Sequence, residues 1–379
     1  MDGDTLTLFL CGDVMLARGV DQILPHPGDP ELREPYIRDS RAYVGLAEER
    51  NGPIPRPVDF TWPWGDALAV LDEAAPDARV VNLETSVTAG GEDAPGKELH
   101  YRMNPANLPC LAAVRPDVCV LANNHVLDRG PHGLEDTLDA LAGAGLRVAG
   151  AGRDLTAARR PAVVPVGEDR RILVFAFGTP SSGVPYRWAA TDDRPGIDFM
   201  PELTDAGAAT LTGRVRRLKR PGDIAVASVH WGGNWGYDIP ADQIRFAHAL
   251  IDGGVDLVHG HSSHHPRPAE VYRGKLILHG CGDLIDDYEG ITGYERYRDD
   301  LRLLHLVRVA ADGGHLVELR MVPLQSRRMR LRYATHRDAE WLGATLDRVG
   351  ARFGTRVEVT HDAPYDVLTL RRDWAREHG

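Results

Sequence analysis

Five short apolar segments each stop at a cluster of residues able to hold a metal or move a proton. This series constrains the fold more than any other feature of the chain. The clusters are Gly12-Asp13, Asn82-Leu83-Glu84, Asn123-Asn124-His125, His230-Trp231-Gly232 and Gly260-His261-Ser262-Ser263-His264. The segments before them, 6–10, 78–83, 118–122, 224–229 and 255–258, have the length and apolar content of buried strands. Helical patterns over 64–75, 104–114, 133–143, 203–218 and 244–251 alternate with them. Such alternation predicts an α/β fold with parallel strands, whose carboxyl ends share one edge. That edge is where open α/β sheets place ligands. One cluster is a weak signal; five in order, each at a strand end, point to a site.

The densest stretch is 256–287, with His259, His261, His264, His265 and His279 among Asp256, Asp283, Asp286 and Asp287. Imidazole and carboxylate together bind metals or carry protons near neutral pH. The competing reading is a polar surface loop. Within the clusters, Asp13 is a site residue or a strand-end cap. One of Asn123 and Asn124 forms the turn, because Asn tolerates left-handed backbone. His125 is flanked by Asp128, and Asp283 follows a tight bend at a strand end. His265 reads as a bystander, Cys281 as structural, and Asp286 and Asp287 as solvated. Arg18 and Arg102 either bind an anionic group or form surface salt bridges. The segment 25–66 is rich in Pro and polar residues and reads as a long excursion. Its Trp62 and Trp64, with Trp231 and Trp235, either wall a pocket or pack loops.

A net charge of -11 without a long basic run argues against a nucleic-acid partner. The cysteines, Cys11, Cys110, Cys119 and Cys281, lie scattered, mostly in apolar runs, and read as reduced core residues. The N-terminal segment has no basic region and meets Asp13 early, and no apolar run reaches membrane-spanning length. The expectation is a cytoplasmic protein without a membrane partner. A hairpin is expected at 312–314, a helix over 339–353 and a strand over 355–359. Composition shows no break, so one elaborated domain is expected, a catalytic part over 1–325 with an extension, 326–379, packed on it.

The clusters resemble the motifs of the calcineurin-like metallophosphoesterase superfamily, and more closely its CapA-type branch, named after capsule and poly-γ-glutamate synthesis. GDVMLARGVD at 12–21, NLETSVT at 82–88, LANNHVLDRG at 121–130, HWGGNWGY at 230–237, GHSSH at 260–264 and EVYRGKLILHGCGDLIDDYEG at 270–290 carry the resemblance. It covers roughly residues 6–325 and implies a four-layer α/β/β/α sandwich with a metal pocket at one edge. Met15 stands where the superfamily usually has a ligand histidine, Glu84 where it has aspartate, and His261 and His264 are spaced by one extra residue. The resemblance therefore implies one divalent ion (Ca, Mn or Mg type), held by Glu84, Asn124, His230 and His261, with Asp13 as a further candidate ligand, and no organic cofactor.

Two chemistries follow. One is metal-assisted hydrolysis of a phosphoryl or acyl group, including a phosphoesterase or an amide hydrolase or ligase linked to poly-γ-glutamate or capsule synthesis. The other is proton transfer at carbon, with His125 (beside Asp13 or Asp128) and His264 (beside Asp283) as acid and base. Here the chain looks like the lasso-peptide epimerases, which invert the Cα of the C-terminal residue of a ribosomal precursor peptide. That peptide is the expected partner, with Arg18, Arg102, Trp62, Trp231 and Trp235 as substrate contacts. A third reading is a metal-binding protein without catalysis.

Overall fold

The computed structural model describes residues 4–372. Two sheets stacked face to face form its centre. The larger has ten strands, and its middle runs Leu301–Ala310, Thr5–Val14, Ala78–Leu83, Val118–Val120, Arg147–Ala149. From Thr5–Val14 onward these neighbours are parallel. The smaller sheet has six strands, in the order Ala269–Tyr272, Lys275–Leu278, Leu257–His261, Ile224–His230, Arg170–Gly178, Ala162–Val166. Its four central strands are parallel.

Side-chain alternation shows how the layers meet. In Ile224–His230, Ile224 and Val226 join the core shared with the larger sheet. Ala225, Ala227 and Val229 join a second core with Leu211, Val215, Phe246 and Leu250 of two outer helices, Asp205–Leu218 and Ala241–Asp252. Period-two alternation between two apolar faces is what a strand covered on both sides requires. Each such large side chain contributes roughly 1.5–3 kcal/mol on burial. Helices Ala67–Ala74 and Gly130–Gly143 bury Val70, Leu71, Leu134 and Leu141 in the core of the larger sheet. The result is the four-layer α/β/β/α order of the calcineurin-like sandwich.

The segment after 326 enters the larger sheet. Leu331–Tyr333 pairs with Leu316–Ser326, and the hairpin Thr355–Asp362 with Tyr365–Arg372 docks through Arg320↔Thr369 and Met321↔Leu368. Helix His336–Gly350 starts at Thr335, whose hydroxyl accepts from the Asp338 N–H. Residues 373–379 of the expected extension lie outside the described residues.

Three expectations need correction. The excursion over 25–66 contains a helix, Arg41–Asn51, which buries only Tyr43, Val44 and Ala47 and so leaves a weak apolar pattern. The helix expected over 104–114 shrinks to a 3₁₀ turn, Pro105–Asn107, and a short helix, Leu108–Ala112. Pro105 and Pro109 withhold two backbone donors there. The five strand ends do not line one sheet. Those of Thr5–Val14, Ala78–Leu83 and Val118–Val120 belong to the larger sheet, and those of Ile224–His230 and Leu257–His261 to the smaller.

Candidate functional site

The carboxyl ends of the two sheets converge on one buried group. Thr5–Val14 changes register between Leu10 and Asp13 against Ala78–Leu83, and between Asp13 and Val14 against Asp283–Ile285. Such irregularities re-aim side chains at strand ends. They need Gly12, because a Cβ there would lie 1.8 Å from the Gly282 carbonyl oxygen. Asp13 thereby reaches the interior, where its carboxylate accepts from Asn82 Nδ2 at 2.7 Å and from the Ser262 N–H at 3.2 Å. Ser262 carries φ 102°, a conformation that costs a non-glycine residue about 1–3 kcal/mol.

One oxygen or nitrogen from each of Asp13, His230 and His261 fits within a sphere of metal-ligand dimensions, the three atoms lying within 4.8 Å of one another. Asp13, His264 and Asp283 form a second such trio sharing Asp13. His230 Nε2 lies 2.9 Å from Asn124 Oδ1 and 3.7 Å from Glu84 Oε1. Glu84, Asn124, His230, His261 and Asp13 are thus one cluster. Asn123 instead forms the turn, donating to Asn82 Oδ1 and the Leu83 carbonyl and accepting from the His125 N–H.

The donor set fits a divalent cation. Burial, with the neighbouring Asp283 charge, pushes Asp13 up to about 7. Burial and the adjacent Asp13 drive Glu84 well above the ordinary carboxyl range. Among the described residues, Glu84 Oε2 and Asp283 Oδ2 are buried and accept no hydrogen bond. Crowded buried carboxylates without donors are what a bound cation compensates. His230 and His261 are held well below the usual imidazole range, by burial first and then by neighbouring imidazoles, and so are neutral, as ligands must be.

Two histidine–aspartate pairs face a cavity of about 290 Å³ beside this cluster, lined by Glu84, Lys97, Tyr101, His125, His264 and Tyr288 among others. His125 Nδ1 lies 2.5 Å from Asp128 Oδ2, and His264 Nδ1 lies 3.0 Å from Asp283 Oδ1. In each pair Nδ1–H donates to the carboxylate and Nε2 is left for the cavity. Burial lowers His125 to about 4, against the pull of Asp128 and helped by Lys97. Burial also opposes the charge on His264, yet Asp283, Asp13 and Asp286 outweigh it and hold its value above the usual one.

Lys97 and Tyr101 had no sequence signal, and Tyr288, though inside the 270–290 motif, was not singled out. Lys97 donates to Asp128 Oδ1 at 2.5 Å and to the Asn124 carbonyl. Tyr101 stacks on His125 with ring centres 3.8 Å apart, Tyr288 meets His264 edge-on at 5.3 Å, and the two hydroxyls lie 2.5 Å apart. Met15 packs with this tyrosine pair, its sulfur 3.5 Å from the Tyr288 hydroxyl. Lys97 and Tyr101 sit in or beside a Gly/Pro-rich loop without periodicity. Only spacing to a later motif could have found them, and loops do not preserve spacing.

Several expected substrate contacts lie elsewhere. Arg18 is buried and bonded to Glu34, Tyr43 and Asp287 behind the tyrosine pair, 4.5 Å from the Tyr101 ring centre. Asp286 and Asp287 are likewise buried, paired with Arg302 and Arg18, and not solvated. Arg102 donates to the Asp29 carbonyl and lines a separate charged cleft with Arg33, Asp93 and Arg129. Trp62 donates to the Arg328 carbonyl and carries Arg330 over its ring. Trp64 and Trp231 are core, the latter donating to the His279 carbonyl close to Gly260. Trp235 stays near the site, 5.3 Å from His264 and stacked on Tyr294. His265 is spent on the Gly236 N–H and the Pro266 carbonyl. All four cysteines are buried and free. No described helix is long and apolar enough to cross a membrane.

Residues 7–288 match the family model described as bacterial capsule synthesis protein PGA_cap. A "probable polyglutamine synthesis accessory protein" of Mycobacterium tuberculosis is 55% identical over 366 residues, 96% of each chain. The "PGA biosynthesis protein CapA" of Bacillus subtilis is 31% identical over 78% of this chain and 66% of its own. A solved structure, TT1561 of Thermus thermophilus, is similar at 10% identity with a TM-score of 0.36, covering 83% of this chain and 97% of its own. The chain belongs to the PGA_cap family.

Proposed function

We propose that this PGA_cap family member is a metal-assisted acid–base enzyme that serves synthesis of a polymer of glutamate or glutamine residues, or a related capsule polymer, by acting on an amide linkage. The observation that carries this reading is the pair of histidines on one cavity, one held below the usual imidazole range and the other above it, beside a buried carboxylate–imidazole cluster. Enzymes obtain acid and base from like groups by giving them unlike surroundings. Asp13, His230 and His261 would hold the ion, with Glu84 and Asn124 against it. When bound, the ion would polarise a carbonyl and offset developing negative charge.

The remaining steps belong to the protein. His125 Nε2, unprotonated, accepts a proton from the attacking group, and Asp128 stabilises the imidazolium that forms. His264, as imidazolium, donates its Nε2–H to the departing amine, while Asp283 accepts from its Nδ1–H and stabilises that charge. The tyrosine pair sets the two rings across the cavity, and Trp235 with Tyr294 forms an aromatic rim.

The test is incubation with Mn²⁺ and oligomers of γ-linked glutamate or of glutamine in ¹⁸O-water, followed by mass spectrometry. Each cut should give one new amino group and one ¹⁸O in the newly formed carboxylate. Hydrolysis of a phosphodiester to a phosphomonoester, or of a monoester to phosphate, without amide cleavage would replace this reading with phosphoester hydrolysis.

A second reading is inversion of the Cα of a peptide's C-terminal residue. It is favoured by the presence of one base and one acid on a single cavity, which is what inversion at carbon demands. Incubation of candidate peptide in heavy water separates the two: one deuterium at the terminal Cα without chain cleavage supports inversion.

A further inference from the structure

On one face of the smaller sheet, toward the larger sheet, Ser228 and His230 sit in register with His259 and His261. Hydrogen bonds connect three of them to the opposite sheet. His259 Nε2 lies 2.8 Å from the Cys11 carbonyl oxygen, His259 Nδ1 lies 3.0 Å from Ser228 Oγ, and Ser228 Oγ lies 3.0 Å from His261 Nε2. All three side chains are fully buried.

Only one proton arrangement satisfies this chain. A backbone carbonyl accepts and never donates, so His259 Nε2 carries hydrogen. His259 is buried and has no carboxylate partner among the described residues. An unpaired buried charge is prohibitive, so the ring is neutral and its Nδ1 is a lone pair. Ser228 must then donate its single hydrogen to His259 Nδ1. Its oxygen is left to accept, which places the hydrogen of His261 on Nε2. His261 Nδ1, 2.8 Å from His230 Nδ1 and 3.9 Å from Asp13 Oδ1, is left bare.

We infer that Ser228 and His259 are positioning residues: a relay anchored on the Cys11 carbonyl of the opposite sheet locks His261 in its Nε2–H tautomer and presents Nδ1 to the metal cluster. The use of that lone pair rests on the metal role proposed above; the tautomer does not. The relay exists only when the two sheets are docked, so packing of the sandwich and readiness of the ligand are one event. Outer partners of this kind set ligand orientation and basicity, and their loss costs on the order of 10- to 100-fold in metal affinity.

The direct test is long-range ¹H–¹⁵N correlation of the histidine side chains in metal-free wild-type protein. His261 and His259 should both appear as Nε2–H tautomers. A His261 signal from Nδ1–H, or from imidazolium, at neutral pH overturns the relay. Mn²⁺ titration followed by electron paramagnetic resonance reads the consequence. Ser228→Ala should weaken binding about 10- to 100-fold and leave His261 a tautomer mixture, while Ser228→Thr, which keeps the hydroxyl, should restore both. Unchanged Mn²⁺ affinity in folded Ser228→Ala overturns the positioning role. If wild type shows the Nε2–H tautomer and binds no Mn²⁺, the relay stands as a tautomer lock and the metal role falls instead. Should Ser228→Ala not fold, the wild-type spectrum alone decides.

Discussion

His125 with Asp128 and His264 with Asp283 have the same bond, Nδ1–H to carboxylate with Nε2 facing the cavity, and are shifted in opposite directions. The difference lies in what stands beside each carboxylate. Asp128 already holds Lys97, so its charge is spent and the second cation, His125, is not favoured. Asp283 has no lysine partner among the described residues, and the nearby Arg302 is paired with Asp286; Asp13 and Asp286 add negative charge, so burial is outweighed and His264 is held above its usual value. A pair is therefore not an assignment: the third residue decides which ring is acid and which is base.

The comparison breaks most completely if either ring is removed. His125→Ala and His264→Ala should each lower turnover by roughly 10²- to 10⁴-fold. Their pH profiles should differ. In wild type, activity rises through about pH 4 as His125 loses its proton, and falls above the usual imidazole range as His264 loses its own. With Mn²⁺ kept saturating at every pH, His125→Ala should abolish the acidic limb and His264→Ala the alkaline one, as residual rates across pH will read.

Next in size is the dependence on the cation. Asp13 must be ionised to ligate, and its proton is held to about pH 7. Mn²⁺ affinity should therefore fall by about tenfold per pH unit below that value, measured by titration at several pH values. Exhaustive chelation should remove activity, and returned ion should restore it.

A smaller change sharpens the contrast itself. Lys97→Met frees Asp128 to pair with His125 alone, which raises the His125 value and moves the acidic limb upward. Several-fold loss at pH 6 with little loss at pH 8 is expected; an unmoved limb would show that Lys97 does not set the difference. The smallest effect is a control. Arg102→Ala and Trp62→Phe, both away from the cavity, should leave turnover of the folded protein within about twofold.

The legible part of the site was its local part. His125 and Asp128 are three residues apart in one turn, so the chain itself holds them together. Asp13, Glu84, His230 and His261 were found because each ends an apolar strand, and strand ends are visible in period and length. Lys97, Tyr101 and Tyr288 were not, since loop residues without periodicity have no address until packing provides one. Arg18 was misread because its partners, Glu34, Tyr43 and Asp287, come from distant segments and together bury it.

Alternation and strand ends in the sequence determined which residues point inward and which chemistry stands at each edge, because a strand's two faces follow from its backbone alone. Register between Ile224–His230 and Leu257–His261 then set Ser228 beside His259 and His230 beside His261. What the tertiary structure alone decided is the meeting of the two sheets: Asp13 against His261, Cys11 against His259, and a tyrosine pair between two histidines. The sheet-to-sheet contact of Cys11 with His259 joins residues 248 positions apart. Burial of two apolar faces against each other, which no local pattern encodes, is the force that brings them together.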